Sequence, residues 1–342
     1  MSRKFGVATI EKEAFVSILS RSIVLAALTV AAVAVPASPA WGQAYPNRPV
    51  RVIVPYPAGG AGDIVMRLAG QHLGELWSQQ IVVDNKTGGS GIVGTELAAK
   101  SAPDGYTLLL TAPDTIAVLP NLFAKLPYDW KRDFLPISLV ASMNMVLVVH
   151  PSLPARNVPE LIALARQKPG QLTYASTGVG SYPHLNAELF KSLSGADILH
   201  VPYKGGQQGM TAVLAGEVSM FFLGESTAAP TIKAGRLRAL GTTAKKRSTL
   251  LTDVPPIADS GLPEFDRDVW FGLFAPAGTP EAIVRKINAD WAKVVQGKEL
   301  REAIATRGFD AVSNSPEQFR AQIERDQDGF AALIKAIGVK PQ

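Results

Sequence analysis

The sequence predicts an α/β protein of two lobes, each a mostly parallel sheet flanked by helices, and three observations support this prediction. Short β-branched runs alternate with helical patterns along most of the chain, as in parallel sheets with crossover helices. Two strand patterns follow each other at 134–142 and 145–150 without a helix between them, and a strand at 270–275 can return across the same boundary. A chain of 342 residues with 47% hydrophobic content is also large enough for two cores.

The first 44 residues predict a secretory signal peptide instead of part of either lobe. A basic segment precedes an apolar run at 23–35, and small residues continue to Ala44, after which we expect cleavage. The alternative is a retained membrane anchor, but this run has 13 residues, whereas a membrane span needs about 20. We therefore expect a protein exported to the periplasm.

Composition argues against several classes of function. The chain has no cysteine, which rules out disulfides and a cysteine nucleophile. Of its 34 basic and 29 acidic residues, four and two lie in the first 44, so the remainder carries a net charge of +3. The basic residues are dispersed and not interleaved with aromatic ones, so we expect no binding to nucleic acid. No histidine pair has metal-ligand spacing, and we expect no metal or cofactor.

The segment 50–67 predicts a strand, a glycine turn and a helix in direct succession. Val50–Val54 is a β-branched run typical of a buried strand. Prolines and glycines at 55–62 then form a turn whose amide groups can approach a ligand closely. The first turn of the following helix favours a negatively charged group, and Asp63 is expected to bond the backbone of the turn. The alternative is an ordinary connection between strand and helix.

The remaining elements follow in order. Further strands are predicted at 81–84, 106–111, 134–142, 145–150, 172–175, 197–201, 218–223, 237–241 and 270–275. Helices are predicted at 92–100, 158–168, 184–194, 208–215, 280–295, 298–307 and 316–337. The two crossings divide the chain into a first lobe of 45–144 plus 267–342 and a second lobe of 145–266. A cleft between two such lobes is a preferred ligand site.

The second lobe has a similar succession of strand, turn and helix, in which the turn at 176–181 consists of small and hydroxyl-bearing residues. If this turn faces 57–63, two helix N-termini converge on one small anion. Hydroxyl groups near both turns add donors and acceptors, namely Ser176, Thr177, Ser181, Thr111 and Thr115. Ser176 can instead cap the following helix. His184 is placed to meet a ligand, with capping or packing as its alternative role.

Motifs for catalysis are weak. Gly89–Gly94 matches G-x-G-x-x-G after a strand, with Asp114 about 20 residues further on, which is formally a dinucleotide fingerprint. The motif does not open the fold, however, and its glycines are better explained by tight packing beside 57–63. No G-x-S-x-G elbow surrounds Ser176 or Ser181, and the acidic residues have no spacing that pairs them for acid–base work.

Six segments carry a resemblance to a known family: 45–63 (YPNRPVRVIVPYPAGGAGD), 102–109 (APDGYTLL), 126–129 (LPYD), 174–176 (YAS), 200–205 (HVPYKG) and 275–280 (APAGTP). In this order they resemble the Bug-type extracytoplasmic solute receptors of tripartite tricarboxylate transporters. The resemblance covers the whole chain after the signal peptide. It implies a type II periplasmic-binding-protein fold, two lobes that close on a small mono- or dicarboxylate, and delivery of this ligand to a membrane permease.

The resemblance also implies a set of site residues. Backbone groups of the turn at 57–63 would hold the carboxylate of the ligand. The first lobe would contribute Tyr56, Ala58, Gly59, Gly60, Asp63, Thr111 and Thr115. The second lobe would contribute Ser176, Thr177, Gly178, Ser181 and His184, with Tyr203 and Lys204 at its edge.

One position departs from the family pattern. Many relatives carry an aspartate where this chain has Leu223, which argues against an amino-acid ligand unless Glu225 substitutes. Lys204 could balance a second carboxylate. We expect a monomeric receptor without catalytic activity. The alternatives are an exported α/β enzyme that binds a nucleotide at 89–94, and a ligand-sensing module for a signalling partner.

Overall fold

The computed structural model describes residues 45–336 and residue 338. All elements named below lie in one compact unit, Arg48–Gln342. The predicted signal peptide and its cleavage after Ala44 lie outside the described residues. Within the part of the chain that is described, no helix is both long and apolar enough to cross a bilayer.

The first sheet draws its strands from both ends of the described chain. These strands are β1 (Val50–Val54), β2 (Ile81–Asn85), β3 (Thr107–Thr111), β4 (Phe134–Met143), β10 (Val269–Pro276) and β11 (Asp310–Ala311). Their spatial order is β11-β4-β10-β3-β1-β2. β1 pairs in parallel with β2 and β3, whereas β10 runs antiparallel to β3 and β4. We call the part built on this sheet the first lobe.

Helices cover the first sheet and close its core. They are α1 (Ala61–Trp77), α2 (Ile92–Ala99), α3 (Leu119–Leu122), α4 (Trp130–Asp133), α9 (Glu281–Val294), α10 (Lys298–Ala305) and α11 (Pro316–Ala336). The rings of Trp270, Phe274 and Phe319 pack together, with centroid distances of 5.1 Å from Phe319 to each of the other two. Gly272 leaves room for this cluster, because a Cβ there would lie 2.1 Å from Phe319 Cζ.

The second sheet is formed by a continuous stretch of chain. Its strands are β5 (Met145–Val149), β6 (Leu172–Ser176), β7 (Ile198–Pro202), β8 (Met220–Gly224) and β9 (Arg238–Thr242), in the spatial order β7-β6-β8-β5-β9. Its helices are α5 (Val158–Gln167), α6 (Tyr182–Ser194), α7 (Gly206–Leu214) and α8 (Glu225–Lys233). A buried cluster that includes Val148, Val213 and Phe221 forms its core. We call this part the second lobe.

The chain passes between the sheets without a helix. β4 ends at Met143 and β5 begins at Met145, so Asn144 alone separates them. β10 then continues the chain in the first sheet after β9. Both sheets are mixed, since β10 opposes β3 and β5 opposes β8 and β9, and antiparallel neighbours need no crossover helix. The predicted two-lobed α/β fold is confirmed, while the residue boundaries of the lobes stay a prediction.

The sequence prediction has no counterpart for several segments, including the short α4 and β11. Helix α8 contains Pro230 within a stretch rich in serine and threonine, a composition that favours loops. A π-helical turn at Asp114–Val118 leads directly into α3. Pro113 and Pro120 lie on either side of this turn. Because proline is typical of breaks in regular structure, the sequence there does not predict a helix.

Candidate functional site

A cavity of about 600 Å³ is lined by residues of both lobes, a size that suits a small metabolite. It lies at the ends of β1, β3 and β6. The lining residues are Pro55, Tyr56, Pro57, Thr87, Gly88, Ser90, Gly91, Asp114, Val118, Leu119, Leu122, Phe123, Thr177, Val179, Gly180 and Ser181. The two turns that the sequence analysis expects to share a crevice therefore border one cavity, the first through Pro57 and the second through 177–181.

Tyr56 and Asp114 form the polar floor of the first lobe's half. The Tyr56 hydroxyl donates to Asp114 Oδ1 at 2.6 Å and accepts from the Ala112 N–H at 3.0 Å. Asp114 Oδ1 also accepts from the Thr115 N–H at 2.9 Å. Burial raises the pKa of Asp114 to about 6, although these hydrogen bonds act in the opposite direction. The carboxyl group is thus held in place with a weakened preference for its charged form.

Thr111 and Thr115 lie behind this floor. Both residues are fully buried, and their hydroxyl oxygens are 2.6 Å apart. The Thr111 hydroxyl also lies 3.1 Å from the Tyr56 hydroxyl. Neither threonine lines the cavity, so the structure gives them a supporting position behind Tyr56.

The turn at 57–60, which we call the first turn, is anchored by a charged residue. Asp63 Oδ2 accepts from the Gly59 N–H at 2.9 Å, and Asp63 Oδ1 pairs with Arg67 at 2.9 Å. Burial by itself would raise the pKa of Asp63, but the hydrogen bonds from Arg67 and Gly59 outweigh it and hold this pKa below its usual value. Asp63 therefore bonds the backbone of the first turn as expected. Ala58 and Gly59 are exposed, Gly60 is half-buried, and none of the three lines the cavity.

The turn at 177–181, which we call the second turn, is held by neutral groups. The buried Ser176 hydroxyl accepts from the Gly178 N–H at 3.0 Å and lies 2.5 Å from His200 Nε2. The Ser181 hydroxyl donates to the Gly178 carbonyl at 2.7 Å. Ser181, and not Ser176, occupies the N-cap position of α6. The capping alternative for Ser176 is therefore wrong, because Ser176 ends β6 and five residues separate it from the helix.

His184 and His200 lie together beneath the second turn. His184 Nδ1 accepts from the Gly180 N–H at 3.3 Å, which requires an unprotonated Nδ1. The two imidazole rings have centroids 4.6 Å apart, and His200 stacks on Tyr174 at 4.9 Å. Burial, followed by the neighbouring His200, lowers the pKa of His184 to about 4. The packing and bonding role suggested as an alternative for His184 matches this geometry.

Sequence reasoning passed over His200 as a component of the site. Its position follows from the sheet, because β6 and β7 pair in parallel with Tyr174 opposite His200 and Ser176 opposite Pro202. The sequence feature that could have indicated His200 is the pair of predicted strands at 172–175 and 197–201, which both precede turns that contain glycine. Only the pairing register brings the side chain beneath Ser176.

Three other predicted site residues lie outside the lining. Tyr203 donates its N–H to the Ser176 carbonyl at 2.8 Å, and its ring packs against the core of the second lobe. Lys204 is exposed, and its N–H donates to Gln208 Oε1. Glu225 borders a separate small cavity with Asn144 and Asp310. Ser248 donates to its carboxylate at 2.5 Å, and burial raises the pKa of Glu225 to about 7.

Gly91 and Gly94 pack tightly, but against Pro55, Lys86 and Thr115 and not beside 57–63 as expected. A Cβ on Gly94 would lie 2.5 Å from the Lys86 carbonyl oxygen, and one on Gly91 would lie 2.6 Å from Thr115 Cγ2. The neighbouring Gly88, Ser90 and Gly91 form one side of the cavity. Among residues 45–336 and 338, no group of three or more histidine or acidic residues could hold a metal ion.

An apolar wall completes the cavity, and sequence reasoning did not identify it. We define the wall as Val118, Leu119, Leu122, Phe123 and Val179. Leu122 also packs against Leu185 and Phe330 in a buried cluster that joins α3, α6 and α11. The second turn approaches this wall closely, since a Cβ on Gly180 would lie 2.5 Å from Leu122 Cδ1.

Comparison with known proteins assigns this architecture to a family. Residues 65–339 match the family described as the tripartite tricarboxylate transporter family receptor. The protein BugT of Bordetella pertussis is 36% identical over 305 residues, which cover 89% of this chain and 94% of BugT.

Two solved structures from Rhodopseudomonas palustris share the fold. Rpa4515, solved with adipate, is 32% identical with a TM-score of 0.76 and covers 87% of this chain and 100% of its own. MatC, solved with bound malate, is 28% identical with a TM-score of 0.71 and covers 85% and 100%. The chain described here belongs to the tripartite tricarboxylate transporter receptor family, whose members are solute-binding proteins of the Bug type.

Proposed function

We propose that this protein captures a small carboxylate-bearing metabolite between its two lobes and delivers it to the membrane permease of a tripartite transporter. The observation that carries the proposal is the cavity that turns from both lobes border together. The two similar structures that were solved with adipate and malate support a carboxylate as the ligand.

In this proposal, backbone and hydroxyl groups hold the carboxylate. The helices α1 and α6 begin directly after the two turns, and amides at a helix N-terminus favour an anion. Tyr56, Thr177 and Ser181 border the ligand, and closure of the lobes brings backbone groups of Ala58, Gly59, Gly60 and Gly178 to it. Thr111, Thr115, Ser176 and His184 support these groups from behind. In this proposal Tyr203, Lys204 and Glu225 make no direct contact with the ligand.

Closure of the lobes is the functional step. A ligand that contacts both turns shifts the population towards a closed form that a permease recognises. The proposed lobes are 45–144 plus 267–342 and 145–266, with the direct passage from β4 to β5 as one connection. Residues 1–44 direct export to the periplasm and are removed. No chemical step is part of this function, and the protein acts without a cofactor.

The proposal is tested by a thermal-shift screen of the purified protein, followed by titration calorimetry on the compounds that stabilise it. A ligand that binds only the folded state raises the melting temperature by mass action, by RT ln(1 + [L]/Kd) in free energy. We expect carboxylates to stabilise the protein and dinucleotides to leave it unchanged. Stabilisation by dinucleotides alone would contradict a receptor and favour a nucleotide-binding enzyme.

A further inference from the structure

We propose that the preferred ligand has one carboxylate on an apolar body, and that a second carboxylate is disfavoured. This inference rests on the proposed function, because it assumes that the cavity between the lobes is the ligand site. It is carried by two properties of that cavity, the apolar wall and the sign of its only charged side chain among the described residues.

The apolar wall gives an organic ligand a large surface to cover. Leu119 and Leu122 are 6% and 9% exposed, so their side chains are already packed from behind. Phe123 is half-buried, and Val179 is 60% exposed on the opposite turn. A ligand between Phe123 and Val179 would remove apolar surface of both lobes from water, and this burial stabilises the complex in proportion to the area covered.

The charge of the cavity disfavours a second anionic group. Within the described part of the chain, no lysine or arginine lines this cavity, and Asp114 is its only ionisable carboxyl. A carboxylate moved from water into such a site is costly unless it is paired with a positive charge or fully hydrogen-bonded. Helix N-termini and hydroxyl groups can satisfy one carboxylate, but a second one near Asp114 would meet a group of the same charge.

The polar lining is sufficient for one carboxylate. Thr87 and Ser90 lie on the first lobe's side, and Thr177 and Ser181 lie on the second turn. The hydroxyl groups of Thr87, Ser90 and Thr177 can each donate one hydrogen bond, whereas that of Ser181 already donates to the Gly178 carbonyl and can only accept. These polar groups line the same cavity as the apolar wall, so a ligand with one polar end and one apolar end matches the two kinds of surface.

The test is a titration of the purified protein with hexanoate and adipate, which have the same six-carbon chain and differ by one carboxylate. We expect hexanoate to bind at least about tenfold more tightly than adipate, and citrate to bind more weakly than both. Tighter binding of adipate or citrate than of hexanoate would overturn this inference and leave the receptor function intact. If none of a broader set of carboxylates binds, the proposed function itself is overturned together with this inference.

Two variants separate the contributions of charge and apolar surface. Asp114→Asn keeps an oxygen that can accept from Tyr56 and Thr115 but removes the charge, so it should tighten adipate binding several-fold relative to hexanoate. Phe123→Ala should weaken hexanoate binding by about tenfold through lost apolar contact. The matched control is Leu199→Ala, an exposed leucine of the second lobe outside the cavity, which should leave both affinities unchanged. An unchanged hexanoate-to-adipate ratio in Asp114→Asn would contradict the role assigned to its charge.

Discussion

The first and second turns occupy equivalent positions after parallel strands, but they are anchored by different chemistry. The first turn is tied to the carboxylate of Asp63, which pairs with Arg67 and holds the Gly59 amide. The second turn is tied to the neutral groups of Ser176, His184 and His200. An anchor with a lowered carboxyl pKa keeps its charge in mild acid, whereas one that needs an unprotonated imidazole nitrogen is sensitive to acid. We therefore expect the anchor of the second turn to fail at a higher pH than the anchor of the first turn.

The largest expected effect comes from acid acting on the second turn. The pKa of His184 is about 4 in the folded protein and 6.5 in the unfolded chain, so only the unfolded state takes up its proton between these values. Stability contributed by this site falls as the pH decreases from 6.5 towards 4, by up to about 3 kcal/mol. His184→Asn keeps an acceptor for the Gly180 amide and removes this titration. Urea unfolding at pH 7.5 and 4.5 should show a larger loss for the wild type than for the variant.

The wild type must be compared with His184→Asn because other groups also titrate between pH 7.5 and 4.5. Asp114 and Glu225 have raised pKa values of about 6 and 7, so their contribution to stability changes with pH in the opposite direction. Their effects cancel when the variant is subtracted from the wild type. If the two proteins lose the same free energy of unfolding in acid, the role of His184 as the pH-sensitive anchor is wrong.

A smaller effect is expected from adding one methyl group to the second turn. In Gly180→Ala the new Cβ would lie 2.5 Å from Leu122 Cδ1, and the φ of +81° would strain any residue with a side chain. Leu122 is packed against its cluster and has little room to move. We expect ligand affinity to fall by about tenfold, a free-energy change of about 1.4 kcal/mol, as measured by calorimetry.

Gly216→Ala is the control for this substitution. Gly216 has a similar φ of +74°, but no atom lies within 4 Å of the place that a Cβ would occupy there. It should share the backbone strain without the contact between lobes. Equal losses of ligand affinity in the two variants would mean that the approach of Gly180 to Leu122 has no part in binding.

The first turn should respond to loss of charge and not to mild acid. Asp63→Asn retains an acceptor for the Gly59 amide but loses the ion pair with Arg67, whose side chain is 54% exposed and therefore partly screened. We expect a loss of about 1 kcal/mol in the free energy of unfolding at neutral pH. Because the folded pKa of Asp63 is lowered, this stabilisation is present above pH 3.8 and disappears only below it.

The control for Asp63→Asn is Glu281→Gln, which breaks an ion pair with Arg285 whose partners are both well exposed. Its effect on urea unfolding should be no more than a few tenths of a kcal/mol. If Asp63→Asn costs no more than this control, the first turn does not depend on its charged anchor.

The smallest expected effect is that of Lys204→Ala. Lys204 is exposed and does not line the cavity, so its removal should change the affinity for a carboxylate by less than about twofold. Calorimetry at low ionic strength is the most sensitive measurement. A loss of tenfold or more would restore Lys204 as a partner for a second carboxylate and would also argue against an apolar ligand body.

Local patterns in the sequence predicted β1 to the residue and a helix directly after the first turn, although this helix, α1, begins at Ala61 within the predicted turn. There the strand propensity of Val50–Val54, the breaks at Pro55 and Pro57 and the helical spacing after Gly60 all agree. A crevice shared by the two turns was expected from the two-lobed fold, because ligand sites gather at the carboxyl ends of parallel strands and in clefts between lobes.

The apolar wall and the histidine support were not predicted, since both depend on long-range packing. Leu119, Leu122 and Phe123 follow a π-helical turn between two prolines, where local propensity indicates a loop. His200 meets Ser176 only through the register of β6 and β7. Glu225 was expected near the ligand because many relatives carry an aspartate where this chain has Leu223. β8 runs parallel to β6, but it ends beside the start of β5, where Glu225 borders a different cavity.

Glu225 places a buried, titratable carboxyl group beside the passage between the two sheets. Glu225 borders a small cavity together with Asn144 and Asp310. This cavity lies beside the passage from β4 to β5 and the end of β8. Burial raises the pKa of this carboxyl group to about 7, so its protonation changes near neutral pH. The stability it contributes decreases as the pH rises from 4.5 through 7. In the proposed closure of the lobes, the passage between the sheets would thus carry a charge that depends on the acidity of the medium, even when no solute is bound.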